Sequence, residues 1–269
     1  MSATTSGSLV ITGSTNIFSP IVTDGLAFYS DSANPISYTS GSTRWNSLVP
    51  PPTNWLSLVG SPTFLNENGG IVNFNTTQSL GASQLFSPSI RNGNISGETP
   101  NIDFELTFEI VFRLKQSSTV GSGTILIFRT DATSFATPPQ CLYRLTGTAT
   151  DNLISGAGYT TVSNTNASVS TTNSYNINQW YHVVMSMRKT SSTTGEWFVM
   201  RNGVILAQQT LTDISWWQNF SSGLNNDGNK IEVSSALNHD RAIMRLYRKG
   251  LTQAQALQNF NATRDRFMI

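Results

Sequence analysis

Charge is scarce in this chain. Only 12% of its 269 residues are Asp, Glu, Lys or Arg, and the net charge is +1. So neutral a chain carries no electrostatic footprint for nucleic acid or an anionic membrane, and neither is expected as a partner. Cysteine is scarcer still. The single Cys141 excludes an intrachain disulfide framework and any multi-cysteine metal site, so it reads as a small buried apolar residue. No stretch approaches the ~20 apolar residues of a membrane span. Residues 1–20 lack the basic segment and apolar run of a secretory signal. Only two histidines occur, His182 and His239, so any imidazole-based nucleophilic site must use one of them.

Ser, Thr and Asn fill the gap, making up about a third of the sequence. They give a hydrogen-bonding surface poor in helix formers. Five N-x-[ST] triplets, at Asn75, Asn94, Asn166, Asn219 and Asn261, follow from that composition. Residues 1–20 are small and polar with one apolar island, "LVI", and read as an extended arm; residues 21–269 read as one domain.

From Gly25 the pattern turns to strands. "GLAFYSD" precedes a Gly/Ser/Pro-rich loop, "LVPPPTNW" is an irregular crossing because three prolines cannot sit inside a sheet, and "GGIVNFN" restarts a strand. The clearest strand is "DFELTFEIVFRLK" (103–115). Phe104, Leu106, Phe108, Ile110, Phe112 and Leu114 alternate with Asp103, Glu105, Thr107, Glu109, Arg113 and Lys115. That period of two predicts a half-buried antiparallel strand with a solvated charged face. Further strands are expected at "GTILIFRT", "QCLYRLTG", "AGYTTVS", "WYHVVMSM", "EWFVMRNGVIL", "KIEVSSA" and "AIMRLYRK". The pair Asn202-Gly203 tolerates positive φ and marks a two-residue hairpin. At the C-terminus, Thr252 and Gln255 form a capping-box pattern before "AQALQNF", predicting one short helix. The expectation is an all-β, two-sheet antiparallel sandwich with a short C-terminal helix.

"GLAFYSDSANPISY", "GGIVNFN", "DFELTFEIVFRL", "WYHVVMSM…GEWFVMRNGVIL" and "MRLYRKGLTQAQALQNFNATRDRF" occur in that order. Together they resemble the laminin-G-like, concanavalin-A-like lectin/glucanase jelly rolls, particularly those in tailed-phage virion proteins. The resemblance implies a jelly-roll domain acting without catalysis, in a capsid decoration or a fibre component. Its location would be the virion, and its partners other virion proteins, copies of itself or host glycans. A glycan-binding lectin is the alternative it implies, and a glucanase a more distant one. The calcium-holding acidic clusters of many relatives are not evident. Asp31 with Asn34 is the nearest remnant, and one carboxylate makes a poor site for a cation that takes about 6 to 8 oxygens. No cofactor and no metal are expected.

Candidate site residues are few. In "DFELTFE", Asp103 and Glu105 lie ~7 Å apart on one face, which fits only an inverting carboxylate pair. His182 shares parity with Trp180 and Val184, opposite Tyr181, Val183, Met185 and Met187, so it is either exposed on a concave face or hydrogen-bonded inside. His239 is expected in a solvated turn. Adjacent Trp216 and Trp217 cannot both point into one core, so one is a candidate for stacking on a sugar or for an interface. Trp45 and Trp55, flanking the proline run, carry the same ambiguity. The candidate ligand-binding set is therefore Trp216, Trp217, His182 and Trp45.

Overall fold

The structure, a computed structural model, describes residues 20–49, 55–75, 79–81, 105–115, 123–129, 140–147, 152–160, 166–212, 230–232 and 238–269. The expected arm therefore lies almost wholly outside the described residues. Three antiparallel sheets and a C-terminal helical segment make up the described chain.

The largest sheet is built from β1 (Leu26–Asp31), β4 (Thr63–Leu65), β5 (Ile71–Phe74), β7 (Leu106–Leu114), β12 (Trp180–Lys189), β13 (Gly195–Arg201), β14 (Val204–Leu211) and β16 (His239–Tyr247). Its order is β14-β13-β12-β7-β16-β5-β4. Strand β1 shares an edge of β16 with β5: residues 243–247 of β16 pair with β1 and residues 239–241 with β5. Ser32 closes the junction, its hydroxyl donating to Gly70 O (2.7 Å) and Ala242 O (3.1 Å). A second sheet holds β8 (Gly123–Arg129), β9 (Gln140–Gly147), β10 (Asn152–Thr160), β11 (Asn166–Ser174) and β15 (Lys230–Glu232), in the order β11-β10-β9-β8-β15. The third is small, with β3 (Trp55–Val59) between β2 (Arg44–Asn46) and β6 (Ser79–Gly81).

The alternation read in the sequence sorts the two faces of the large sheet. Phe108, Ile110 and Phe112 of β7, Val183, Met185 and Met187 of β12, and Met244 and Leu246 of β16 turn to one side. There they pack with Trp45, Leu56 and Leu58 of the small sheet in the main core. Sheet on sheet is the sandwich expected, with the short helix at its end. That helix, α1 (Gln253–Asn261), starts at Thr252. The Thr252 hydroxyl accepts from Gln255 N at 3.2 Å, and the Gln255 side chain accepts in return from Thr252 N at 2.9 Å, completing the capping box. A second short helix, α2 (Arg264–Phe267), follows. The hairpin between β13 and β14 turns on Asn202 (φ 48°) and Gly203 (φ 78°), both left-handed as that turn requires.

Three expectations need correction. The polar face of β7 is not solvated: Thr107, Glu109 and Val111 are all buried, because α1 and the segment leading to it lie across that face. His239 is not in an exposed turn but begins β16, fully buried and stacked on Phe74 at 5.1 Å with rings 10° apart. The segment expected as "AGYTTVS" is strand from Asn152 to Thr160, and its partner β11 went unmarked. With the sequence NASVSTTNS, β11 has almost no apolar alternation to read.

Candidate functional site

Two polar constellations occupy the helix-covered side of the large sheet, one sealed and one open. The sealed one begins with a cross-strand pair. Arg245 of β16 stands directly opposite Glu109 of β7, and its guanidinium donates to Glu109 Oε1. Val184 of β12 opposes Glu109 on the other side, which places His182, two residues away, on the diagonal. His182 Nε2 lies 2.8 Å from Glu109 Oε1. From above, Asn259 of α1 donates Nδ2 to Glu109 Oε2 (2.7 Å) and to the Tyr247 hydroxyl (2.9 Å), and its Oδ1 accepts from Val22 N (2.8 Å).

Burial alone would raise the Glu109 pKa. Arg245 and His182 outweigh it and hold the carboxyl at about 2, well below its ordinary 4.5. Glu109 is therefore a carboxylate, which only accepts, so His182 presents Nε2–H to it. Burial likewise pushes the Tyr247 hydroxyl up, reinforced by the Glu109 charge. Next to this cluster the Thr107 and Ser186 hydroxyls bond each other at 2.8 Å and tie the loop to α1, through Leu251 N to Thr107 Oγ1 (2.8 Å) and Ser186 Oγ to Leu251 O (2.9 Å).

A glutamate against a histidine has the look of an acid–base pair, but Glu109, His182 and Asn259 are 0% exposed and Arg245 only 2%. No substrate atom reaches them. Their work is structural: an ionic network centred on Glu109 pins α1 to the sheet, with His182 Nδ1 and Arg245 Nε its buried atoms left unbonded among the described residues. His182, expected as a candidate ligand contact, is the hydrogen-bonded interior residue of its two alternatives. Trp45 is equally buried, at 0% in the core between the sheets, and offers no surface. Trp216 and Trp217 lie outside the described residues, as does Asp103. Glu105 accepts from the backbone N–H groups of Lys189 (2.7 Å) and Gly250 (3.4 Å), a clasp between β12 and the segment before α1. Trp55 is partly exposed beneath the Arg44 guanidinium at 4.3 Å. The Asp31 carboxylate is occupied by Arg266, at 2.7 and 2.9 Å, and Asn34 Oδ1 accepts from Ile36 N. Among the described residues no group of three His, Cys, Asp or Glu could hold a metal.

The open constellation is a cleft of about 580 Å³ at the rim of the same sheet face. That volume lies within the ~300–1,000 Å³ of small-molecule sites. Five separate segments build it. Arg113 comes from the end of β7, Asn178 and Gln179 from the turn before β12, and Asn202 from the hairpin. Glu67 and Asn68 come from the turn before β5, and Phe267 to Ile269 from the end of α2. Of the five non-glycine residues described with positive φ, four line this cleft: Asn68 (46°), Asn178 (65°), Asn202 (48°) and Met268 (54°). Left-handed backbone is uncommon outside glycine, tolerated best by asparagine, and concentrated at functional sites.

The floor of the cleft is a stack. The Arg113 guanidinium lies over the Trp180 ring at 5.0 Å, and Phe267 packs on the indole with ring centres 4.7 Å apart. Trp180 is thus only 5% exposed and presents no free face. Arg113 Nε donates to Asp240 Oδ2 at 2.5 Å and Nη2 to Glu67, leaving Nη1 without a protein partner among the described residues. Burial would lower the Arg113 pKa, but Asp240 and Glu67 more than offset this and raise it. Around the stack, Gln179 accepts through Oε1 from Asn176 Nδ2 (2.8 Å) and the Tyr181 hydroxyl (3.2 Å), which fixes its orientation. Gln179 and Asn178 are exposed.

Sequence reasoning missed this cleft. The available signal was asparagine at the entry to two strong strands, "INQW" and "RNG".

Neither a family model nor a curated protein matches the chain. Solved structures do. The binding domain of botulinum neurotoxin serotype C1 superposes with a TM-score of 0.56 at 10% identity, over 88% of this chain and 52% of that one. The binding domain of botulinum neurotoxin DC, in complex with SialylT, gives 0.56 at 11% identity over 89% and 52%. A sialidase of Trypanosoma rangeli, in complex with 2,3-difluoro-KDN, gives 0.52 at 12% over 91% and 34%. This chain spans about half the length of the toxin domains and a third of the sialidase. At such identities the likeness is one of fold: the chain shares the fold of these proteins.

Proposed function

We propose that this chain is a glycan-binding module that works without catalysis, and that the Arg113–Gln179–Asn202 cleft holds the sugar. The convergence of four left-handed residues on one cleft carries this reading. The turn at Asn178 brings the exposed amides of Asn178 and Gln179 to the rim beside a guanidinium and a carboxylate, while the Asn202 amide is turned onto β12 and accepts from His182 N at 2.8 Å. Planar donor–acceptor groups of this kind suit the closely spaced hydroxyls of a sugar. The fold neighbours support the reading, since one toxin domain is in complex with SialylT and another neighbour is a sialidase. Most glycosidases, sialidases excepted, need two carboxyls flanking the scissile bond. In this cleft Glu67 is half exposed, but Asp240 is 0% exposed behind Arg113.

Glycan-array binding by the purified chain tests this, with the double variant Asn178→Gly/Gln179→Ala as the control. Asn178→Gly keeps the left-handed turn. At least tenfold weaker binding at an unchanged Tm is expected. Absence of binding to any glycan overturns the proposal. Binding that survives the double variant and is lost in Trp217→Ala moves the site to the Trp216/Trp217 segment.

The virion role, with self or other virion proteins as partners, is a second reading that rests on the sequence resemblance. One observation favours it. Val22 N donates to Asn259 Oδ1, and Gln258 Nε2 donates to Pro20 O at 2.6 Å, so residues 20–22 are anchored on α1, where a tethering arm would need its root. Deleting residues 1–19 should leave the fold intact and abolish incorporation into particles; unchanged incorporation would sink it.

A further inference from the structure

We infer that the cleft selects uncharged sugars and disfavours acidic ones, because the guanidinium at its floor is already neutralised from two sides. The inference rests on the glycan-binding reading and narrows its ligand class. Arg113 is clamped between Asp240, fully buried behind it, and Glu67, half exposed in front. Lys115, the next cation, faces Asp240 at 3.8 Å. Arg266, near Asn68, is held by Asp31 on both carboxylate oxygens. Arg113, Lys115 and Arg266 thus each have an acidic partner within the protein, and of the charged side chains lining the cleft the one most open to solvent is Glu67.

A sugar carboxylate entering this space meets Glu67 as a like charge. It finds no uncompensated cation to replace its lost hydration. A neutral sugar avoids both penalties. Its hydroxyls can accept from Arg113 Nη1 and Gln179 Nε2, donate to the carboxylate of Glu67, and do either with the amide of Asn178; the Asn178 and Gln179 side chains are exposed.

The experiment measures binding of the full chain to immobilised lactose and N-acetyllactosamine, and to the same sugars capped with sialic acid, at low and high salt. Capped sugars are expected to bind at least tenfold more weakly, with the gap shrinking as salt screens Glu67. The variant E67Q removes the exposed charge and should narrow the gap severalfold at low salt. Tighter or equal binding of the capped sugars overturns the inference while leaving the glycan reading intact. So does a gap that E67Q leaves unchanged. Silence from neutral and capped sugars alike overturns the inference, and silence across the whole glycan array overturns the glycan reading with it.

Discussion

Asn259 of α1 and Glu109 of β7, 150 residues apart in sequence, meet at 2.7 Å inside the protein, where the amide completes the ring of donors around a buried carboxylate. Removing either partner strands the other groups. In Glu109→Ala, Arg245 is left as an unpaired charge at 2% exposure. A loss of about 3–5 kcal/mol is expected, as for one-sided removal of a buried ion pair. Urea unfolding measures it. Replacing both, as Glu109→Leu with Arg245→Met, should cost less than Glu109→Ala alone, because no orphan charge remains.

Acid should probe the same carboxylate. Its folded pKa, about 2, lies below its ordinary 4.5, so the stability it contributes is fully present above the ordinary value and disappears as pH falls toward 2. By linkage the amount is about 3 kcal/mol. Thermal or urea unfolding between pH 6 and pH 2 should show this fall, and Glu109→Gln should start lower and decline less steeply. Parallel declines would mean that other carboxylates dominate.

Gly250 tests close packing without positive φ. A Cβ there would lie 2.4 Å from Arg188 Cα and from Met187 O, against the backbone of β12. Gly250→Ala should therefore cost about 3 kcal/mol or more, or prevent soluble folding. Gly41→Ala provides the contrast: its φ is +81° with nothing within 4 Å, so only the left-handed strain of about 1–2 kcal/mol applies. Comparing the two Tm values separates clash from strain.

Arg266 ties α2 to the turns beneath it, through Asp31, Asn68 O (2.6 Å) and Gly70 O (2.9 Å). Arg266→Ala should lower stability by about 2 kcal/mol, typical of charged hydrogen bonds at a partly buried site. Because Asn68 and Phe267 line the cleft, glycan binding should weaken as well. Stability lost with binding untouched would separate the cleft from this bridge.

Much of the architecture was legible because strands with one buried face announce themselves. The alternation through β7 and β12 assigned the face of each side chain, and the capping box and the Asn202-Gly203 turn were readable from two residues each. What covered the second face was not readable. The parity of His182 fixed its direction, but only the docking of α1 over the sheet decided that the direction leads to Glu109 instead of solvent. The cleft was invisible for a related reason: its residues come from five separate segments, and no spacing along the chain records that they converge. Asn68, Asn178 and Asn202 look like ordinary turn asparagines until the fold gathers them.

The position of β16 also sets an order of events. It is the last strand of the large sheet in sequence, yet it lies between β7 on one side and β1 with β5 on the other. Until residues 239–247 leave the ribosome, the early strands β1 and β5 and the middle strand β7 have no shared neighbour to join them. Almost all of this domain must therefore be synthesised before its main sheet can close, and closure then pairs residues more than 200 positions apart. Such distant contacts make folding slow and leave unpaired edges exposed meanwhile. For this chain the vulnerable interval is its own birth, when chaperone protection of the β1, β5 and β7 edges would matter most.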